Sequence, residues 1–322
     1  CVIIGFDAKG GRDLKWIFNE GGEKKYAKNV NSYLVDSEDI FIESRAKPLC
    51  SVSEMQKGNI PVDDGNLIVE ASEYEEFISS EPQAKKFIKP LLGSSEFLNN
   101  KERWCIWLEG ANPSEISKCP RILERVKLVK EFRLASKKEA TRKFANYPTR
   151  FMEIRQPKSE YILVPSHSSE KREYIPIGFE SPDTISTNAN LIIPCPSIYL
   201  FGVLNSGIHM AWVRAVCGRL EMRYRYSNKI VYNNFPFPTP TEEQKSAIEK
   251  TAQGILDARA LYPDSSLADL YDPLTMPPEL RKAHQNNDRA VMQAYGFDVK
   301  TMTESSCVAE LMKMYQKLVE EK

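Results

Sequence analysis

The sequence lacks the long apolar runs that a membrane span requires. No stretch of its 322 residues reaches the roughly 18 to 20 apolar residues needed to cross a bilayer, and no charged segment precedes an apolar one at the N-terminus. We therefore expect a cytoplasmic protein with no membrane partner. With 42% hydrophobic and 27% charged residues, the chain is large and apolar enough for two or three cored domains.

Residues that build metal sites and catalytic triads are scarce. The seven cysteines are scattered and never form a Cys-x-x-Cys pair, which argues against a disulfide framework and a zinc site. The three histidines, His167, His209 and His284, are far apart in sequence. Phosphate-binding loops and the HExxH and GxSxG motifs are also absent. We expect no catalytic residue, no metal and no cofactor site in this chain.

The net charge of zero conceals an uneven distribution of charge. Residues 1–82 contain 9 basic and 16 acidic residues, and residues 241–322 contain 10 and 14, which leaves 25 basic and 14 acidic residues between them. The middle of the chain therefore carries +11. Phosphate binding depends on local positive potential, so this segment remains compatible with a nucleic-acid partner.

Short strands and helices follow one another along the chain. The continuously apolar residues 1–6 predict a strand buried on both faces, and such a strand at the very start suggests a piece of a longer polypeptide. Turn residues separate the later elements. We predict strand pieces at 26–35, 39–43, 151–154, 161–164, 174–177 and 191–193. We predict helices at 72–78, from Pro120, and at 199–217, 241–261, 278–295 and from about 305. Thr241 and Gln244 form a possible capping box at the start of the helix at 241–261, and Gly296 closes the helix at 278–295.

This pattern indicates an α+β fold, in which a loop-rich mixed domain precedes a small helical one. The helix from Pro120 is expected to bury Ile122, Val126, Val129 and Phe132. A proline-rich connector at 233–240 marks the boundary before the helical part.

Residues 214–229 form the densest basic and aromatic segment, with five basic residues, one acid and two tyrosines. Such a segment suits contacts with phosphates and sugars, but it also fits a solvated helix end followed by a strand. Within it, Glu221 and Arg223 would point the same way on a strand. A carboxylate can accept from cytosine N4 and an arginine can bind guanine, so the two could read a C·G pair, or form an ordinary surface ion pair.

Several longer sequence segments resemble those of the MmeI-like family of type II restriction-modification enzymes and related DNA methyltransferases. The matching segments occur in order over nearly the whole chain: Ile-Pro-Val-Asp-Asp-Gly-Asn-Leu from residue 60, Glu-Pro-Gln-Ala-Lys-Lys-Phe-Ile-Lys-Pro from 81, Arg-Trp-Cys-Ile-Trp-Leu from 103, Tyr-Ile-Pro-Ile-Gly-Phe from 174, residues 226–236, and Leu-Ala-Asp-Leu-Tyr-Asp-Pro-Leu-Thr-Met-Pro-Pro-Glu-Leu from 267.

The resemblance implies three parts. Residues 1–61 would end a class I methyltransferase domain with a remnant of its α/β sheet, 62–238 would form the DNA target-recognition domain, and 239–322 the C-terminal helical domain. The family's Asn-Pro-Pro-aromatic motif and glycine-rich cofactor loop are absent. The resemblance thus implies an upstream catalytic domain of the same polypeptide, with S-adenosylmethionine as the intact enzyme's cofactor and double-stranded DNA as partner.

The same resemblance favours a base-reading role for Glu221 and Arg223, at positions that look like a co-varying pair in the family. We expect them to read a C·G pair and nearby side chains to contact DNA backbone or bases. These are Arg150, Arg155, Lys158, His167, Lys171, Arg172, Arg219, Arg225 and Lys229. The alternative hypothesis is a protein-interaction or scaffold module whose basic face binds an acidic partner.

Overall fold

The computed structural model describes residues 15–18 and 22–321. Its strands are β1 (Lys15–Phe18), β2 (Lys24–Ala27), β3 (Gln56–Lys57), β4 (Ile68–Glu70), β5 (Ile88–Leu92), β6 (Arg103–Ile106), β7 (Tyr161–Pro165), β8 (His167–Ser168), β9 (Gly178–Glu180), β10 (Ile185–Ser186), β11 (Asn190–Pro194), β12 (Gly218–Leu220) and β13 (Arg223–Arg225).

Its helices are α1 (Ala71–Ser80), α2 (Ser94–Asn99), α3 (Pro113–Ile116), α4 (Pro120–Leu134), α5 (Glu139–Phe144), α6 (Ile198–Leu204), α7 (Gly207–Val216), α8 (Glu242–Ala260), α9 (Leu267–Leu270), α10 (Pro278–Ala294) and α11 (Glu304–Glu320). A 3₁₀ helix covers Pro82–Phe87, and a π-helical turn covers Asn228–Tyr232.

The first lobe, residues 62–150 together with β10, is built on a four-stranded sheet in the order β10-β5-β6-β4. β5, β6 and β4 are antiparallel neighbours, and β10 joins β5 in parallel. Apolar side chains from the sheet and from α1 and α4, such as Val69, Phe77, Ile106 and Ile122, are buried in one cluster. Burial of this apolar surface is what holds the lobe together.

The second lobe is built on a sheet in the order β3-β11-β7-β9, in which all neighbours are antiparallel. Its central strand β7 is buried along its whole length, as its apolar sequence predicts. The helices α6, α7, α8, α10 and α11 pack beside it, and one apolar cluster includes Ile162 of the sheet, Trp212 of α7, Leu280 of α10 and Leu311 of α11. The C-terminal helices therefore share a core with this sheet.

The helix predicted at 199–217 is two helices. α6 ends at Leu204 and α7 starts at Gly207, because the Ser206 hydroxyl accepts a hydrogen bond from the amide of His209 at 3.2 Å and caps a new helix. The C-terminal helices agree with prediction. Thr241 and Gln244 form the expected capping box at the start of α8, with distances of 2.9 and 3.3 Å.

Several strand predictions are wrong. Residues 151–154 contribute only a single bridge between Ile60 and Glu153, and 174–177 are irregular, with the strand beginning at Gly178. Of the pieces predicted at 26–35 and 39–43, only residues 26 and 27 lie in a strand, Lys24–Ala27, and Val30 and Asp36 form an isolated bridge. On α4, Phe132 is 38% exposed while Arg133 is buried. The strand predicted at 1–6 lies outside the described residues.

The domain boundaries at 61/62 and 238/239 stay predictions. β3 pairs with β11, so residues 56 and 57 belong to the sheet of the second lobe, whereas Asn59 forms a bridge with Thr187, directly after β10 of the first lobe.

Candidate nucleic-acid interface

A three-stranded sheet in the order β12-β13-β8 carries the basic and aromatic segment. β12 and β13 form a hairpin, and β13 pairs on its other side with β8, which sets Arg225 opposite His167 and Tyr224 opposite Ser168. The chain thus places His167, from a distant part of the sequence, beside its most basic segment.

One face of this sheet, here named the hairpin face, collects basic side chains. Residues opposite each other on antiparallel strands share a face, and successive residues alternate between faces. Gly218 pairs with Arg225 and Leu220 with Arg223, so Leu220, Arg223, Arg225 and His167 all belong to the hairpin face. The three strand residues are exposed and His167 is partly so.

The opposite face supports the hairpin. The Tyr224 side chain there is buried, and the guanidinium carbon of Arg219 lies 4.0 Å from the centre of its ring. Arg219 Nη1 also donates to the carbonyl of Met222 at 3.3 Å. Arg219 therefore braces the hairpin and is not part of the hairpin face.

Glu221 and Met222 form the two-residue turn of the hairpin. Glu221 has a left-handed φ of 56°, which is uncommon for a residue with a side chain. The expectation that Glu221 and Arg223 share a strand face is therefore wrong, because Glu221 lies in the turn. The two side chains meet nevertheless, with Arg223 Nη2 donating to Glu221 Oε2 at 2.8 Å. Their exposed fractions are 75% for Glu221 and 52% for Arg223.

His167 is neutral in this surrounding at pH 7. Burial lowers the pKa of its imidazole, and the positive charges of Arg225 and Arg223 lower it further. A neutral imidazole carries one donor and one acceptor, so His167 can make either kind of hydrogen bond to a ligand.

Buried polar contacts fix the segment that follows β13. The hydroxyl of Tyr226 lies 2.9 Å from Nε2 of His209, and both side chains are buried. Burial lowers the pKa of His209 to about 3, so its imidazole is neutral, and the tautomer of the ring sets which of the two groups donates this hydrogen bond. His284 is likewise buried and hydrogen-bonded to Tyr271 at 2.8 Å, which makes both histidines part of the core.

The other predicted contact residues are dispersed. Arg172 lies against β8, where its Nη1 donates to Ser168 Oγ at 3.4 Å. Lys171 is exposed beside it, and Lys229 is exposed in the π-helical turn that follows β13.

Three further predicted residues belong neither to the hairpin nor to β8. Arg150 pairs with Glu109 at 2.8 Å in the first lobe. Arg155 pairs with Glu153 and donates to the carbonyl of Gly58 at 3.2 Å. Lys158 is exposed in the loop before β7.

A cationic groove beside the hairpin face was not foreseen from the sequence. This groove has a volume of 350 Å³, and its lining includes Lys57, His167, Asn188, Gly218 and Arg225. Lys57 was not predicted as a DNA contact, because it lies in the segment assigned from the sequence to the methyltransferase domain. Only the pairing of β3 with β11 brings it here.

The described ranges 15–18 and 22–321 contain no group of three or more His, Cys, Asp or Glu side chains that could hold a metal ion. They also contain no helix long and apolar enough to cross a membrane.

Two models of known protein families match this chain. The model of the MmeI target recognition domain matches residues 36–239, and the model of the MmeI C-terminal domain matches residues 240–321. The chain belongs to the MmeI family. The resemblance inferred from the sequence is thereby confirmed, and so is the α+β fold class with a helical C-terminal part.

Two MmeI family relatives show the extent of the match. Over 319 residues the chain is 38% identical to DNA methyltransferase A of Bacillus subtilis (strain 168), covering 99% of this chain and 36% of that protein. A solved structure of the Type IIL restriction-modification enzyme MmeI in complex with DNA matches with 45% identity and a TM-score of 0.90. The match covers 97% of this chain and 42% of the MmeI chain. The chain therefore spans less than half the length of either relative.

Proposed function

We propose that this chain is the duplex-DNA recognition module of a site-specific DNA adenine-N6 methyltransferase in a restriction-modification system. An upstream domain of the same cytoplasmic polypeptide would bind S-adenosylmethionine and transfer the methyl group. The observation that carries the proposal is the hairpin face, where Arg223, Arg225 and His167 stand together beside the exposed carboxylate of Glu221. Family membership supports the same role.

Glu221 and Arg223 have the chemistry to read one C·G pair in the major groove. The carboxylate can accept from cytosine N4, and the guanidinium can donate to guanine O6 and N7. In the free protein the two side chains bond each other, but both are more than half exposed. Exchanging such a surface ion pair for base contacts costs under about 1 kcal/mol. Because both side chains are exposed, both can turn toward a base pair.

The remaining basic residues have the chemistry of backbone contacts, which fix the register of the protein on the duplex. Arg225 belongs to the hairpin face, and Arg172 contacts Ser168 of β8. Lys171 and Lys229 are exposed and lie close in sequence to β8 and β13. Arg150, Arg155 and Lys158 are proposed to contact DNA farther along, and Arg219 to do so from the opposite side of the hairpin.

Register matters because an adenine inside a duplex cannot reach a methyl donor. It must be flipped out of the helix, while the neighbouring base pairs stay in place. A recognition module that fixes the duplex through phosphates and reads bases on one side leaves the target adenine to the catalytic domain. This division of labour agrees with a chain that lacks catalytic motifs.

Selection from a random duplex pool tests the proposal. The intact protein is incubated with the pool at near-physiological salt, and the bound duplexes are sequenced. We expect one enriched motif, and we expect Arg223→Gln to relax the preference at one position by about 1–3 kcal/mol. The control is Lys317→Gln, which changes an exposed lysine on α11 and should leave the motif unchanged. Binding without any enriched motif would instead favour a module that binds acidic protein.

A further inference from the structure

Gly218 is a glycine that the fold itself does not require. Its φ lies outside the left-handed region, so a residue with a side chain could adopt its backbone conformation. A Cβ atom added there would meet no atom of the described residues within 4 Å, its two chain neighbours aside. A glycine inside a strand weakens the strand, and it often marks a place where another backbone approaches closely. The packing of the described residues therefore gives no reason for a glycine at position 218.

Gly218 borders the cationic groove. In the pairing of β12 with β13 it lies opposite Arg225, on the same face of the sheet, and the groove reaches from there to Lys57 on β3. Among residues 15–18 and 22–321, none that lines the groove is Asp or Glu. Within the part of the chain that the structure describes, neither Lys57 nor Arg225 forms an ion pair with a carboxylate. Two positive charges thus face an open space without a counter-charge from these residues.

We propose that this groove seats a sugar-phosphate unit of the DNA backbone, and that position 218 is a glycine because a side chain there would fill the space that the DNA enters. The inference rests on the proposed DNA-recognition function. Lys57 and Arg225 supply the charge, and the nearby Ser227 and Asn188 supply polar groups for the phosphate oxygens. The seat lies next to the hairpin face, so a phosphate held in it sets the register in which Glu221 and Arg223 meet their base pair.

The first test is Gly218→Val in the intact protein, with Gly254→Val as the matched control. Valine favours strands, so we expect the melting temperature of Gly218→Val to be unchanged or raised. Its affinity for the duplex selected by the wild type should fall by about tenfold or more, as when a phosphate contact is lost. Gly254, in α8, also has no atom within 4 Å of an added Cβ, and its variant should keep the wild-type affinity.

The second test is Lys57→Gln, which does not depend on how the hairpin tolerates valine. Losing one phosphate contact should make the slope of log K against log salt shallower by about one and leave the choice of base pair unchanged. Wild-type affinity in Gly218→Val, or an unchanged salt slope in Lys57→Gln, would overturn the groove inference. A wild type that selects no duplex would instead overturn the proposed function, whatever the variants do.

Discussion

Arg133 is buried in the first lobe, where its guanidinium ties together distant pieces of backbone. It donates to the carbonyl oxygens of Val62 at 2.9 Å, Pro61 at 2.8 Å, Tyr147 at 2.8 Å and Arg150 at 2.7 Å. The carbonyls of Pro61 and Tyr147 also accept from the backbone amides of Met152 and Arg150, but removing the guanidinium would take away the Arg133 donor from all four. Losing hydrogen bonds at a buried position is costly. Arg133 therefore fixes the start of the lobe to its end.

We expect Arg133→Lys to lower the free energy of unfolding by about 2–4 kcal/mol, because a lysine cannot reproduce the planar fork of donors. Urea denaturation measures the change. Arg142→Lys is the matched control, since Arg142 also donates to two backbone carbonyls, of Ser136 and Lys137, but at an exposed position. Its effect should stay within about 0.5 kcal/mol. Equal effects of the two substitutions would contradict the structural role of Arg133.

The buried side of α4 is only partly predictable from its own sequence. Helical spacing predicted Ile122, Val126 and Val129 as buried, and they are. It chose Phe132 as the next buried position and missed Arg133, because the carbonyls that Arg133 satisfies come from other parts of the chain. A local pattern contains no trace of such acceptors. The same limit hid Lys57, which reaches the groove only through strand pairing.

At the scale of elements, α6 and α8 approach closely at Gly202. A Cβ added there would lie 2.8 Å from Ile248 Cγ2 and 2.9 Å from Ala252 Cβ, both on α8. The carbonyl of Gly202 also accepts a hydrogen bond from Asn287 on α10 at 2.8 Å. Three helices thus meet around a position where only hydrogen fits.

We expect Gly202→Ala to destabilise the fold by about 1–3 kcal/mol, because the added methyl overpacks this junction. Gly254→Ala, inside α8 and with no atom near its added Cβ, should instead stabilise it by about 0.5–1 kcal/mol through better helix propensity. Thermal denaturation of both variants provides the comparison. Shifts of the same sign would show that helix packing at Gly202 is looser than described.

Elements with strong local signals were predictable from the sequence. The capping box of Thr241 marked the start of α8, and Gly296, with φ of 71°, marked the end of α10. The two-residue strands β3 and β8 were not predicted, because such short strands exist only through their partners. The sequence predicted a basic strand where the hairpin lies. It did not predict the turn at Glu221, because neither Glu221 nor Met222 is a usual turn residue.

At the scale of the whole molecule, the second lobe and the C-terminal helices form one unit. Asp288 on α10 accepts hydrogen bonds from the hydroxyl of Tyr174 and from the amide of Gly207 on α7, each at 2.6 Å. The ring of Tyr174 stacks on His284 at 4.0 Å. Burial raises the pKa of Asp288 to about 6, as expected for a carboxyl group inside a core. The hairpin is thereby mounted on a rigid body, which base recognition requires.

The central claim is that the hairpin reads a base pair, and a charge exchange tests it most directly. The affinity of the intact protein is measured for two duplexes that differ only by inversion of one C·G pair in the selected motif. We expect the wild type to prefer one orientation by about 1–3 kcal/mol, and Glu221→Lys with Arg223→Asp to prefer the other. The control, Glu310→Lys with Lys313→Glu, exchanges an ion pair on α11 and should keep the wild-type preference. An unchanged preference in the Glu221 and Arg223 variant at every C·G position would contradict the account.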